Sequence, residues 1–496
     1  MGVLGRIGVA CLLSTAALAT AASPGPCCAD EVPWSERRLA LSPERFAQGR
    51  AGRRAVDWYR HAADPSWGGD TNATDRFSVA LPVDGRAPGR PLLVVLHWRG
   101  AGMPGRGVDM QTELADEKGR VFSAPDDFNI LSLDDMRDYN VLLNRTHADY
   151  WWGATASYAG PTVEDVPRLL NRATPCERRV MDCVEWTIRE YGVDRDRVYL
   201  CGNSMGGQAA YAFGLAHGEV FAAVNANVPA TAWYAAARLG FVDAEGRDAA
   251  EWDSSRFADP PVCVEWSGVD DVWSRDRDVV VRNLARRRWP HIVLWGDFGH
   301  CGLVESARAK NDLVEKFDWL SVRRNEAYPA FTSASCDDAL PWPFRVWRPR
   351  RRSMLGWRGD IYDAEKEIAS GAPARGQING FFRWRGVRDD DDGFGMELRI
   401  ATADELSTRL FAPPESATAD VTVRRIQSHP IAGACRVEWT FGEAGGVAER
   451  DGHGSLTIRG LRITREPQTL RVRALPSPAR AENGAEKVAS PLTAGA

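Results

Sequence analysis

The stretch Gly202-Asn203-Ser204-Met205-Gly206-Gly207 follows the apolar run RVYLC, Arg197 to Cys201, with no spacer, and opens straight into the small-residue segment GQAAYAFGLA, Gly207 to Ala216. A strand that must turn into a helix within so few residues leaves little room for anything but glycine on either side of the serine. Such a strained turn lifts the hydroxyl above the edge of a sheet. The helix behind it offers free backbone N–H groups and partial positive charge at the place where an oxyanion would develop. The pattern therefore predicts a parallel α/β sheet with Ser204 as a nucleophile. Serine is weakly nucleophilic at neutral pH, so an imidazole must take its proton and a carboxylate must hold that imidazole in one tautomer.

The rest of the chain supports such a sheet. An alternating strand, FSVALPV (Phe77 to Val83), precedes the continuous apolar run PLLVVLH (Pro91 to His97), as expected of a strand buried on both faces. Another element is expected around Tyr139 to Asn144, followed by a helix from Arg179 to Tyr191, the strand RVYLCG and the helix Gly207 to Ala216. Then come FAAVNANV (Phe221 to Val228), PPVCVEWSG (Pro260 to Gly268), a helix over Asp278 to Arg288, and HIVLWGD (His291 to Asp297). Short buried strands alternating with amphipathic helices predict a doubly wound α/β domain over residues 77–325. Beyond Tyr328 the period changes to two, in INGFFRWRG, GMELRIA, ADVTVRRI, CRVEWTFG, GSLTIRGLRI and TLRVRAL. These predict an all-β, sandwich-like domain over 326–475, with a disordered tail at 476–496 and an N-terminal extension at 23–76.

Five histidines follow Ser204: His217, His291, His300, His429 and His453. His300 lies in a loop just after the strand HIVLWGD, where active-site loops leave the carboxyl ends of parallel strands. It is the candidate base. The preceding strand, VCVEWSG, delivers two adjacent carboxylates, Asp270 and Asp271. Backbone N–H groups for an oxyanion are expected from Met205 and from the loop His97-Trp98-Arg99-Gly100-Ala101-Gly102. His97 itself reads as a residue that orients this loop. Of the 19 tryptophans, Trp98, Trp152 and Trp273 fall in loops near the candidate site, and Trp152 and Trp273 are candidate substrate-binding residues.

GNSMGG after RVYLC, GVDD after VCVEW, FGHCG and LHWRGAG together resemble an α/β-hydrolase. Ser132 to Asp135 (SLDD), Trp151-Trp152-Gly153 and WGDFGHCG resemble secreted bacterial esterases of the polyhydroxybutyrate-depolymerase and feruloyl-esterase type, over Pro91 to Leu320. The resemblance implies a Ser, acid, His order along the chain. It favours Asp271, at the fourth position of Gly268-x-x-Asp, with Asp270 as the alternative. It also implies ester hydrolysis through an acyl-enzyme without a cofactor or metal, on an ester substrate that is polymeric or carbohydrate-linked. Trp98 stands where the family's loop carries glycine, so the second oxyanion donor is the amide of Trp98 or Arg99. A β-sandwich joined to such an enzyme implies polymer binding.

Charge and composition narrow the alternatives. Against 62 Lys and Arg stand 67 Asp and Glu, giving a formal charge of -5 with no basic footprint for nucleic acid. Residues 1–22 read as a signal peptide: one early arginine, then an apolar run too short to span a bilayer and ending in small residues. Export predicts a secreted or periplasmic protein with no stable membrane insertion. Removing Cys11 with that peptide leaves nine cysteines, an odd number, with no zinc-like CxxC pair. Asn72 and Asn144 stand in glycosylation sequons. The runs Asp389 to Asp392, Arg350 to Arg352 and Arg286 to Arg288 are expected to be solvated surface.

Overall fold

The computed structural model describes the chain between residues 34 and 476, apart from positions 35, 38, 40, 69–73, 99–121, 123, 135, 141–144, 149–150, 152–169, 231–232, 244–246, 250, 253–256, 258, 270, 272–276, 301–316, 343–372, 392, 407–410 and 428. Residues 1–22, expected as a signal peptide, together with Arg99, Trp152, Asp270, Trp273 and both sequon asparagines, lie outside the described residues. Glu44–Ala51 (β1), Arg54–Ala62 (β2) and Thr74–Ala80 (β3) form an antiparallel run, followed by Leu92–Leu96 (β4) and Asn129–Leu133 (β5). A separate hairpin pairs Met136–Asn140 (β6) with Arg145–Ala148 (β7). Val198–Asn203 (β8), Ala223–Asn227 (β9), Val262–Gly268 (β10) and His291–Gly296 (β11) complete the parallel part.

In space the order is β1-β2-β3-β5-β4-β8-β9-β10-β11, and from β5 to β11 every neighbouring pair is parallel. This is the α/β-hydrolase sheet, with its single exchange of adjacent strands early in the order. The strand expected around Tyr139 belongs to the separate hairpin, and the buried sheet strand lies earlier, at Asn129–Leu133. The expected α/β segment began at 77, yet β1, β2 and the first three residues of β3 already extend the sheet ahead of it. After Tyr328–Thr332 (β12) leaves the sheet, Gly376–Ile378 (β13) returns to its far edge, antiparallel to β11.

The period-two alternation of β4 divides its side chains between two cores. Leu92, Val94 and Leu96 join Leu200, Val224, Val180, Val184 and Ile188 beneath the helix Pro175–Tyr191. Leu93 and Val95 join Tyr199, Cys201, Val264 and Leu294 on the opposite face. That second core continues without a break into the C-terminal strands. There, β12, Ser416–Arg424 (β16) and Thr457–Thr464 (β19) form one antiparallel sheet, as numbered after Phe382–Asp390 (β14) and Gly393–Ile400 (β15). β14 and β15 combine with Arg436–Phe441 (β17), Ala444–Glu449 (β18) and Gln468–Ala474 (β20) in the order β14-β15-β20-β17-β18. Val421, Ile458 and Ile463 of the first sheet share the core with Met396, Leu398, Val437 and Leu470 of the second. The all-β part is thus fused to one face of the α/β sheet through a common apolar interior.

Two local features sharpen the sequence reading. Helix Pro175–Tyr191 starts four residues earlier than expected, with Thr174 accepting from the Glu177 N–H at 3.2 Å and Pro175 in the first turn, and Gly192 ends it in the left-handed region at φ 64°. The Arg286 to Arg288 run is not wholly solvated: Arg286 is exposed, Arg288 is half-buried, and Arg287 is only 6% exposed.

Candidate active site

At the carboxyl end of β8 the backbone of Ser204 takes φ 58° and ψ −113°, a conformation that costs a non-glycine residue about 1–3 kcal/mol and persists only where its surroundings enforce it. Three backbone hydrogen bonds do so. The Ser204 N–H donates to the Asn227 carbonyl at 2.9 Å, and the Ser204 carbonyl accepts from Gln208 at 3.1 Å and Ala230 at 2.9 Å. The glycines are dictated by space. A Cβ on Gly202 would strike the carbonyl of Gly206, one on Gly206 would strike the carbonyl of Leu96, and one on Gly207 would press on the carbonyl of Asn227. The helix Met205–Ala209 begins immediately and widens into a π turn over Ala210–Gly214. Ser204 occupies its N-cap position, yet its hydroxyl makes no capping bond.

That hydroxyl meets His300 instead. Ser204 Oγ lies 2.7 Å from His300 Nε2, and His300 Nδ1 lies 2.8 Å from Asp271 Oδ2. Asp271 accepts the Nδ1–H, which leaves Nε2 as the acceptor facing the serine. The carboxylate is fully buried, whereas the imidazole keeps 18% of its surface exposed. The three residues come from the ends of β8, β10 and β11, at one rim of the sheet.

Packing around Gly268 brings the two loops together. A Cβ there would strike the carbonyl of Phe298, and the Phe298 ring stacks on Trp266 with centroids 5.0 Å apart. Beneath the Asp271 turn, Arg277 is wholly buried and donates from Nη2 to the Gly268 carbonyl at 3.1 Å. Glu265 is buried beside it and accepts from Tyr211 and Ser267. Burial raises its carboxyl above the ordinary range although Arg277, Ser267 and Tyr211 pull it down. Sequence reading passed over this pair. The visible signal was Glu265 itself, a charge inside the apolar run VCVEWSG.

Met205 is buried as the first residue of the helix, which sets its N–H at the elbow. Trp98 is half-buried, its side chain against the core shared with the C-terminal sheets, and its carbonyl accepts from His97 Nδ1 at 2.7 Å. Burial holds the His97 imidazole below its usual pKa despite Asp134 nearby, so at neutral pH it is an uncharged hydrogen-bonding group. The His97 carbonyl accepts from Trp151 Nε1 at 3.0 Å, and Arg179 Nη1 donates to the Asp134 carbonyl at 2.9 Å. These contacts fix the base of the loop expected to supply the second oxyanion donor.

Two other histidines have different surroundings. His217 lies between Glu177 at Nε2 and Glu219 at Nδ1, both 2.8 Å away. Burial pushes its pKa down, but Glu219 and Glu177 outweigh that and raise it to about 9. His291 opens β11, at the opposite end of the sheet from Ser204, and burial lowers it to about 4. Among the described residues, no three His, Cys, Asp or Glu side chains converge as metal ligands would, and no helix is long and apolar enough to cross a membrane.

A model of the prolyl oligopeptidase family (Peptidase_S9) matches residues 176–242, the segment that carries the long helix, β8 and the elbow. No curated protein matches the sequence. Among solved structures, the S-formylglutathione hydrolase of Agrobacterium tumefaciens is 15% identical over 52% of this chain and 92% of its own, with a TM-score of 0.35. A ferulic acid esterase of the anaerobic fungus Anaeromyces mucronatus is 16% identical over 54% of this chain and 92% of its own, also at 0.35. The acylaminoacyl peptidase of Pyrococcus horikoshii is 12% identical over 56% of this chain and 41% of its own, at 0.30. Strand order, elbow and family match define a serine hydrolase of the α/β-hydrolase fold.

Proposed function

We propose that this chain is an exported hydrolase of carboxylic esters that works through an acyl-enzyme. The Ser204 hydroxyl attacks the ester carbonyl while its proton passes to His300 Nε2, and Asp271 steadies the resulting imidazolium. The N–H of Met205 and an amide at Trp98 or Arg99 receive the oxyanion. As the tetrahedral adduct collapses, the alcohol leaves with the proton from His300. Water then attacks the acyl group, again losing a proton to His300, which returns it to Ser204 Oγ as the second adduct collapses and the carboxylic acid departs. The observation that carries this reading is the unbroken hydrogen-bonded chain from Ser204 Oγ through the imidazole to Asp271.

A panel of aryl esters, feruloylated and acetylated sugars, hydroxyalkanoate oligomers and aminoacyl anilides tests the substrate class. The expected result is ester turnover well above amide turnover. A second reading, an exopeptidase on the same residues, has the family match over 176–242 in its favour; it predicts anilide cleavage and little ester turnover. A protein that retains polymer but turns over nothing would count against both. If Trp152 and Trp273 bind substrate, as the sequence suggests, their replacement by alanine should raise KM more than it lowers kcat. Export through residues 1–22 predicts that the mature protein, recovered outside the cytoplasm, lacks Met1 on N-terminal sequencing.

A further inference from the structure

The residues just ahead of β10 and β11, Asp259 and Trp289, opposite the rim that holds Ser204, border a cleft of about 460 Å³ between the α/β sheet and the C-terminal strands. Six arginines line it: Arg286, the last residue of the helix Arg277–Arg286, Arg287 and Arg288 just after it, Arg424 and Arg425 at the end of β16, and Arg450. Among the described residues two acidic side chains, Asp259 and Asp451, share the lining, an excess of four positive charges in a chain whose net charge is -5.

The donors of Arg425, Arg450 and Arg287 go to backbone carbonyls, groups that carry no charge. Arg425 is 4% exposed and donates from Nη2 to the carbonyls of Gly218 at 2.6 Å, Phe221 at 3.0 Å and Asp259 at 3.1 Å. Arg450 reaches the carbonyls of Ile431, Ala432, Ala434 and Gly454. Arg287 donates from Nη2 to the Gly240 carbonyl at 2.9 Å. Arg288 does meet a carboxylate, Asp451. Backbone oxygens satisfy N–H groups but leave the charge of a buried cation uncompensated, which is expensive in a low-dielectric interior. On these arginines two buried donors, Nη1 of Arg425 and Nε of Arg287, have no hydrogen-bond partner among the described residues, each on a side chain more than nine-tenths buried. Burial and the neighbouring Arg286 lower the pKa of Arg287 to about 10 although Asp248 pulls it up, the direction expected where desolvation and crowded positive charge outweigh the nearest carboxylate. The arrangement is held in place: Trp252 stacks on His453 at 4.0 Å, with Arg287 at 4.9 Å from the Trp252 ring centre.

We propose that this cleft is a binding site for a small multivalent oxyanion, a phosphorylated or polycarboxylated molecule, separate from the catalytic rim. Planar guanidinium forks match the oxygen geometry of phosphate and carboxylate. The volume lies within the range of small-molecule pockets and exceeds what one inorganic phosphate fills.

Isothermal titration with pyrophosphate and, separately, with citrate distinguishes the two chemistries, with sodium chloride at matched ionic strength as the reference. At least one probe should saturate one site per chain, and Arg287→Gln should weaken that binding tenfold or more. Binding to the Ser204→Ala protein should be unchanged, because the active-site rim lies at the other end of the strands. If Arg287→Gln does not fold, Arg286→Gln, on the exposed rim, should weaken binding threefold or more. The proposal is overturned if neither probe binds beyond the chloride reference, or if the folded arginine variants bind like wild type.

Discussion

Ser204 combines two features rarely found together, a left-handed φ at a side chain bearing a hydroxyl and an N-cap position whose hydroxyl does not cap. Both make sense if the hydroxyl is reserved for His300, 2.7 Å away. Replacing Ser204 by alanine should lower kcat/KM about 10⁴-fold or more while leaving the unfolding midpoint nearly unchanged. The acid is tested by a pair of variants. Asp271→Asn should cost about 10³–10⁴-fold in kcat by presenting the wrong hydrogen-bond partner to Nδ1, whereas Asp270→Asn should cost less than about tenfold. A larger effect at Asp270 would overturn the choice. At this scale the sequence was informative because the chemistry demands residue types at fixed places: a serine between glycines, a histidine in the loop after β11, an acid after β10. Trp98 was less legible. Its position after β4 could be read, but not that its side chain turns to the core shared with the β domain.

Elements carry the next level of constraint. The elbow requires Gly206 because the β4 carbonyl of Leu96 occupies the space a Cβ would need. Gly206→Ala should therefore destabilise the fold by about 1–3 kcal/mol, read from urea unfolding, and lower activity with it. Behind the elbow, Glu177 of the long helix holds His217 at 2.8 Å and receives two bonds from Arg238, at 2.8 and 2.7 Å, on the helix Trp233–Arg238. Burial pushes Glu177 up, but Arg238 and His217 prevail and bring it to about 2. His217 is raised from 6.5 to about 9, so its contribution is complete below pH 6.5 and disappears as pH rises through about 9. Wild type should accordingly lose unfolding stability between pH 7 and 10 relative to a His217→Gln variant, whose own stability should be lower at pH 7. Equal pH slopes would contradict the assignment. The continuous apolar strands were readable as such, but Asn129–Leu133 was not. Its Asn129 and Ser132 are polar yet buried, and Asn129 Nδ2 donates to the Pro91 carbonyl at 3.3 Å, a long-range partner that no local pattern reveals.

At the scale of the whole molecule, one core joins two architectures. Leu93, Val95, Val264 and Leu294 of the parallel sheet lie in the same apolar cluster as Met396, Val421 and Leu470. Calorimetry of the full chain should thus give one cooperative transition, and a chain ended at residue 325 should expose that face and bind the hydrophobic dye ANS. Two separated transitions would show that the layers are energetically independent. The change from helical to period-two patterning after Tyr328 announced a second architecture, but alternation along a strand does not say which surface its apolar face will meet. Likewise, Glu44–Ala62 was read as an extension because nothing local indicates that a hairpin joins a distant sheet.

The central claim is that the rim of this sheet turns Ser204 into a nucleophile. A fluorophosphonate probe followed by peptide mapping tests it most directly. Stoichiometric phosphonylation confined to the peptide containing Ser204, strongly slowed in Asp271→Asn and absent in His300→Ala, is the predicted result. Folded wild-type protein that stays unmodified, or a modified serine elsewhere, would contradict it.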